Sequence, residues 1–404
     1  MSRTAAGSAF EVRCSMFNVF FAAFLLLSGC ATTPQYQASL TGDVLVDGPT
    51  AIANGPARDK VLWEYRTAGA AMRQARFAEA KPLLDDALLT LQGIYGKDAE
   101  ARKARRNFSR EARKTFVGEP YERSMAYFYR GVIYWMDGEP DNARACFRSA
   151  EFEDSDAEKT EYAGDWVMPD YLDGLATVKL AGDGSDAFRR AREHCKLAIP
   201  PDFNPRANVL FFVEFGDGPT KFATGQYGEQ LRFRSGVSAA REARIRVGKA
   251  GAHIGPYDDV YYQATTRGGR VMDHVLANKA VFKSATDTAG NAALISGAIL
   301  ASQSHHNSAA DEVGLGLMLA GLASKIISAS TTPEADTRSW DTLPLFLSFA
   351  ALELPPGQHT VTVEFLDGNR NVLANLTKTL TLNVPPSGDK VVFVSDKSST
   401  PQSL

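Results

Sequence analysis

The residues best suited to metal or acid–base work are six histidines, at positions 194, 253, 274, 305, 306 and 359, and none shows HExxH or H-x3-H spacing. His305 and His306 are adjacent, so on a helix they would point about 100° apart. Asp258 and Asp259 are paired in sequence, but adjacency is not the facing geometry that glycoside hydrolysis requires, and they read as turn residues before a strand. No Gly-x-Ser-x-Gly elbow or Cys-His pairing occurs. Gly216-Asp217-Gly218-Pro219-Thr220-Lys221 lacks the Gly-Lys-Ser/Thr ending of a phosphate loop, and its proline removes an amide donor, so it reads as a hairpin turn. The acidic stretch Glu151 to Glu161 lacks the alternating oxygen ligands and glycine of a calcium loop and reads as a solvated linker. The expectation is a protein without catalytic residues, metal or cofactor.

One cysteine stands apart. Arg3 and Arg13 precede an apolar run from Met16 to Leu27, too short to span a bilayer, and small residues follow. Leu27-Ser28-Gly29-Cys30 resembles the lipobox of bacterial lipoproteins, in which the chain is cut before the cysteine and its thiol is acylated. That resemblance makes residues 1–29 a signal peptide and Cys30 the lipid attachment site. Two acyl chains, each buried methylene contributing about 0.8 kcal/mol, hold a protein at a membrane without a transmembrane helix. In a host with two membranes, Ala31 resembles the sorting signal for the outer one, whose periplasmic face is the expected location.

Export narrows the partners. With Cys14 in the leader and Cys30 acylated, Cys146 and Cys195 remain, both in expected helices, and an oxidising compartment leaves a bridge between them open. The 404 residues carry a formal net charge of -3, giving no overall pull toward nucleic acid or acidic lipid. The exception is Lys97 to Lys114, with eight basic and three acidic residues and Arg102, Arg106 and Arg110 on one helical face. This face is a candidate contact for an anionic partner or a plain solvated surface, and export argues against nucleic acid.

The elements that must carry these residues divide in two. Residues 30–58 are small, polar and turn-forming and read as a lipidated N-terminus and flexible tether. Over 59–200 the period is helical. Residues 124 to 157 resemble a tetratricopeptide repeat, with Tyr127, Gly131, Tyr134, Gly138, Ala143, Phe147 and Ala150 in its aromatic, small and turn positions. Weaker copies occupy 61 to 94, through Ala68, Ala71, Phe77, Ala80, Leu84 and Ala87, and 168 to 201, through Leu175, Gly182, Ala187 and Ala191. About three units are the minimum for a stable stack.

Phe116-Val117-Gly118-Glu119-Pro120-Tyr121-Glu122-Arg123, followed by Met125-Ala126-Tyr127-Phe128-Tyr129, resembles an uncharacterised family of bacterial tetratricopeptide-containing lipoproteins, which carries a similar Gly-Glu-Pro-Phe/Tyr-Glu element before its best repeat. The resemblance extends loosely over 59 to 390, implies an envelope scaffold, and brings no chemistry with it.

Over 201–404 the period changes to two. Asn208 to Phe215, Ala243 to Val247, Val260 to Thr265, Leu345 to Leu354, Thr360 to Leu366, Val372 to Leu382 and Val391 to Val394 read as strands of an antiparallel, sandwich-like module. Leu354-Pro355-Pro356-Gly357-Gln358-His359-Thr360-Val361-Thr362-Val363 resembles a signature of small immunoglobulin-like surface modules, PEGA-type domains among them. Asp367-Gly368-Asn369 marks a hairpin turn. A small-residue helical hairpin over 272–329, with Ala289, Ala293, Gly297 and Ala301 on one helix and Gly316, Ala320 and Ser324 on the other, reads as a packed or self-associating insert.

The expected fold is therefore α+β: a tetratricopeptide-like helical bundle, then an antiparallel β-rich module with an inserted helical hairpin. The expected function is a non-catalytic, membrane-anchored scaffold that presents a concave groove to a protein or peptide partner, with Tyr121, Arg123 and Tyr127 as groove contacts. The alternative is an oligomeric structural component of an envelope export or surface-polysaccharide assembly.

Overall fold

The computed structural model describes residues 40–95, 115–154, 164–266 and 335–398. The signal peptide, Cys30, the basic face with Arg102, Arg106 and Arg110, and the hairpin over 272–329 lie outside them.

Among the described residues the first seven α-helices are α1 (Val44–Asn54), α2 (Lys60–Arg73), α3 (Phe77–Tyr95), α4 (Pro120–Met136), α5 (Pro140–Asp154), α6 (Val167–Lys179) and α7 (Ser185–His194). Short turns join α2 to α3, α4 to α5 and α6 to α7, which gives three successive helix hairpins. Small residues let them close. Gly138 adopts φ of +80° in the α4–α5 turn, where a side chain would be strained. Gly131 lies so near Phe147 that an added Cβ would stand 2.6 Å from the ring. Ala68, Ala71, Ala80, Ala87, Ala143, Ala150 and Ala191 are all fully buried where the helices approach one another.

The strands are β1 (Val209–Phe215), β2 (Thr220–Thr224), β3 (Gln230–Arg234), β4 (Glu242–Val247), β5 (Ala250–Ile254), β6 (Asp258–Asp259), β7 (Phe346–Leu352), β8 (Gly357–Leu366), β9 (Lys378–Val384) and β10 (Lys390–Ser395), with a short helix α8 (Val260–Thr265) after β6. They form sheets of order β10-β1-β7-β6 and β5-β4-β8-β9, with β2-β3 as a separate ribbon. In the first sheet β1 runs parallel to β10 and antiparallel to β7.

Both faces of β1 are covered, which is why VLFFVEF is buried throughout and does not alternate. Val209, Phe211, Val213 and Phe215 share a core with Ile245, Val363, Phe365 and Leu382 of the second sheet. Leu210 and Phe212, with Phe349 of β7 and Phe393 of β10, face the helices and share the helical core. Strand β4, with one solvent face, shows the expected alternation of burial. The helices and the β part, separated at residue 200 by sequence, are thus joined by one continuous apolar layer.

Three expected elements are corrected. Residues 44–54, assigned to the tether, form α1, capped by Asp43, whose side chain accepts from the Leu45 N–H. An added Cβ on Gly48 would stand 1.9 Å from Thr67 Oγ1, so this glycine is a point of close helix approach. Val260 to Thr265 is helix and not strand, because the Asp259 carboxylate accepts from the Tyr261 and Tyr262 N–H groups and caps it. Of the strand expected over 372–382, only the part from Lys378 is formed; residues 374–376 make a 3-10 turn.

Candidate functional site

The residues expected to contact a partner are inside. Tyr121, Arg123 and Tyr127 are 0%, 4% and 8% exposed. Arg123 donates from Nε to Glu153 at 2.5 Å and from a terminal nitrogen to the Gly118 carbonyl at 2.9 Å. Tyr121 packs edge-on against Phe233 of β3 at 5.8 Å. Across the same face of α4, Phe128 meets Phe212 at 6.2 Å and Tyr129 meets Phe393 at 6.0 Å, while Tyr171 of α6 meets Phe349 at 5.7 Å. The chain's own sheet β10-β1-β7 covers Phe128, Tyr129 and Tyr171, while Tyr121 lies on β3, Arg123 on Glu153 of α5 and Tyr127 beside Gln92 of α3, so these three residues are corrected to core and junction roles.

The Gly-Glu-Pro-Tyr-Glu element has a structural purpose. Gly118 turns at φ of +75°, Pro120 opens α4, and Glu122 accepts from the Glu119 N–H at 2.6 Å. The same buried carboxylate takes the Trp340 N–H at 2.7 Å and Lys221 Nζ at 2.5 Å. Burial raises the Glu122 pKa against the pull of Lys221, and burial lowers that of Lys221. Sequence reading took Gly216 to Lys221 for a hairpin turn; β1 and β2 lie in different sheets, and the segment carries Lys221 to this pair. A nearby cavity of about 410 Å³, lined in part by Trp63, Arg66, Lys221 and Arg338, has its cations matched: Arg66 to Asp341, Lys221 to Glu122, Arg338 to Asp59 and Asp336.

A larger recess, about 670 Å³, opens among α5, α6 and α7. Its walls follow from helical spacing, since residues three and four apart share a face. From α5 come Arg148, Glu151 and Phe152; from α6 Asp170, Asp173 and Thr177; from α7 Asp186, Ala187, Arg190 and His194. Asp258 of β6 fixes the start of α6 from outside, accepting the Val167 and Met168 N–H groups at 2.8 and 2.7 Å. Gly174 and Gly184 let α7 cross α6 closely, an added Cβ on Gly184 standing 2.3 Å from the Gly174 carbonyl oxygen.

Arg190 donates to Asp170 Oδ1 at 2.8 Å through Nε, and Arg148 to Asp173 Oδ1 at 2.9 Å. His194 Nδ1 stands 3.9 Å from Asp170 Oδ2, beyond hydrogen-bond reach. Asp170 Oδ2, Glu151 Oε1 and His194 Nδ1 are buried atoms without a hydrogen-bond partner. Burial pushes the Asp170 carboxyl up to about 6 against the pull of Arg190. Burial, then the charges of Asp170, Asp154 and Asp258, raises Glu151 well above the usual carboxylate range. Chemically the recess offers unsatisfied acceptors, so it can receive hydrogen-bond donors.

Sequence reading placed Glu151 in a solvated linker and missed this site; the available signal was Asp170 and Asp173 three apart, opposite Arg190 and His194 four apart. Cys146 is buried in α5 and Cys195 follows α7, and both are free thiols. Among the described residues there is no cluster of three or more His, Cys, Asp or Glu able to hold a metal, and no helix long and apolar enough to cross a membrane. The chain matches no family model, no curated protein and no solved structure.

Proposed function

We propose that this protein is a lipid-anchored, non-catalytic interaction scaffold of a bacterial cell envelope, held through Cys30 at a membrane, with the periplasmic face of an outer membrane as its place. The three helix hairpins are read as irregular tetratricopeptide-like repeats and the two facing sheets as a sandwich-like module that supports them. The partner is a protein or peptide, and it docks on the outer side of the helices, since the opposite face is occupied by the chain itself. The observation that carries this reading is the recess among α5, α6 and α7, where the buried Asp170 Oδ2 and Glu151 Oε1 lack donors. Leaving such groups unpaired costs about 1–3 kcal/mol each, a cost that a partner's donors would offset.

The test has two arms. Replacing Cys30 by serine is expected to abolish incorporation of labelled palmitate and the cut before residue 30; a variant that still takes up the label, or is still cut there, overturns the anchor. Cross-linking in intact cells, followed by mass spectrometry, is expected to recover an envelope protein joined to α5 or α7. Recovery of only a ring or high oligomer of this chain would overturn the adaptor in favour of the structural component.

A further inference from the structure

The recess is over-supplied with acid. Its lining holds Glu151, Asp170, Asp173, Asp183 and Asp186 against Arg148 and Arg190. Both arginines are already engaged, Arg148 with Asp173 and Arg190 with Asp170 Oδ1. Asp170 is 1% exposed, and its second oxygen points to no donor. Nor does Glu151 Oε1, one helix away. Two buried acceptors in an acidic cavity call for a cation with several N–H groups.

We propose that this recess receives an alkylammonium group carried on a peptide, the side chain of a lysine, held between the unpartnered oxygens of Glu151 and Asp170. Ammonium suits the pair better than guanidinium. The two oxygens belong to different carboxylates on different helices, whereas a guanidinium fork is matched by both oxygens of one; three rotatable N–H donors on a point charge fit separated acceptors. The size argues for a peptide over a free amine, since about 670 Å³ is room for a body of several residues. Phe152, 75% exposed on the α5 wall, offers an apolar surface for the butyl stem.

Binding shifts a protonation equilibrium. Burial, then the charges of Asp170, Asp154 and Asp258, favours the protonated form of Glu151. The groups facing it are Arg148 and Asp154 on its own helix, Asp170 and Asp173 on α6, Arg190 and His194 on α7, and Asp258 on β6. An ammonium placed against Glu151 favours the carboxylate, so the proton on its oxygen leaves to solvent as the ligand enters.

The inference rests on the scaffold reading and is tested separately from it. The full-length protein in detergent is titrated calorimetrically at pH 7 with a blocked Gly-Gly-Lys-Gly-Gly peptide, with the same peptide carrying norleucine, and with spermidine. Lysine is expected to bind at least tenfold more tightly than norleucine and more tightly than spermidine, with release of up to one proton seen as a dependence of the heat on buffer. Glu151→Gln, which keeps the shape of the protonated acid, is expected to weaken the lysine peptide at least fivefold and to abolish the proton release. Equal binding of lysine and norleucine, an unchanged Glu151→Gln variant, or binding without proton release in the unmodified protein would each overturn the proposal. Tighter binding of spermidine would overturn the peptide as its source. A partner cross-linked elsewhere on the helices would preserve the scaffold and remove this site; palmitate uptake by the Cys30→Ser variant would remove the anchor and leave the titration intact.

Discussion

Arg73, near the end of α2, donates from Nε to Glu214 of β1 at 2.6 Å, and the second oxygen of the same carboxylate takes the Tyr129 hydroxyl at 2.5 Å. Arg73 and Glu214 are 8% and 1% exposed at the side chain, so a charge pair is enclosed where the helical layer meets the sheet. Breaking such a pair from one side strands the other charge, at a cost of about 3–5 kcal/mol, whereas replacing both by apolar residues is often neutral. Arg73→Met is therefore expected to lower the urea midpoint sharply, and Arg73→Met with Glu214→Leu to recover most of the loss. Additive losses in this double-mutant cycle would show that the two residues act independently.

Gly131 in α4 faces Phe147 in α5, and a Cβ at 131 would stand 2.6 Å from the ring edge. Phe147 is fully buried and also packs against Phe128 and Trp135, so it cannot withdraw at low cost. Gly131→Ala, which raises helix propensity by about 1 kcal/mol, is nonetheless expected to destabilise by about 1–3 kcal/mol net. A thermal midpoint equal to or above that of the parent would mean that the α4–α5 contact is looser than described.

Much of the helical layer was legible in sequence because small-residue spacing records how closely two helices approach. Ala143, Phe147 and Ala150, spaced three and four apart along α5, are all buried. The site was not legible, because Asp170 and Arg190 are ordinary surface residue types until α6 and α7 fold onto each other. Tyr121 and Tyr127 differ from expectation for a related reason: helical periodicity shows that a face is apolar, not whether another protein or the chain's own β3 and α3 cover it. Asp258 was out of reach too, since its capping of α6, 91 residues earlier, leaves no local signature, whereas Asp259 caps the adjacent α8 as an aspartate before a helix commonly does. Glu214, a lone acid in VLFFVEF, was a visible anomaly whose partner, Arg73, lies 141 residues earlier.

The two described cysteines sit in different surroundings. Burial pushes the Cys146 thiol up to about 12, whereas Cys195 is partly exposed beyond the end of α7. Because the thiolate is the reactive species, iodoacetamide at pH 8 is expected to label Cys195 in the native protein and to reach Cys146 only after denaturation. Mass spectrometry of the digested chain reads both sites. Protection of Cys195 without reductant and its exposure with reductant would reveal a disulfide and displace the arrangement of α5 and α7.

The pH dependence of stability should run opposite to that of a protein held by surface ion pairs. Burial pushes Asp258 up to about 7 and Glu64 up to about 8, and Asp170 to about 6. For a carboxyl raised in the folded state, the native protein binds more protons than the unfolded chain between the two pKa values, so stability falls as pH rises through that window. The window here runs from the unfolded values near 4 to about 8. Carboxylates that gain stability from hydrogen bonds, such as Asp47 and Glu79, are lowered, by the Thr41 N–H and by Arg76 respectively, and lose their contribution only on acidification below that range. Between pH 5 and 8 the raised group dominates, and the protein is expected to be more stable at pH 5 than at pH 8, read as a higher urea midpoint. Glu64→Gln separates this cause from general charge repulsion. Its side chain is 1% exposed, 3.4 Å from Lys60 Nζ, and the amide keeps its shape without a charge to desolvate. The variant should match the parent near pH 5 and exceed it at pH 8, flattening the slope. Parallel pH profiles for the two proteins, or a parent that is most stable at pH 8, would show that these buried acids are ionised at little cost in the native fold.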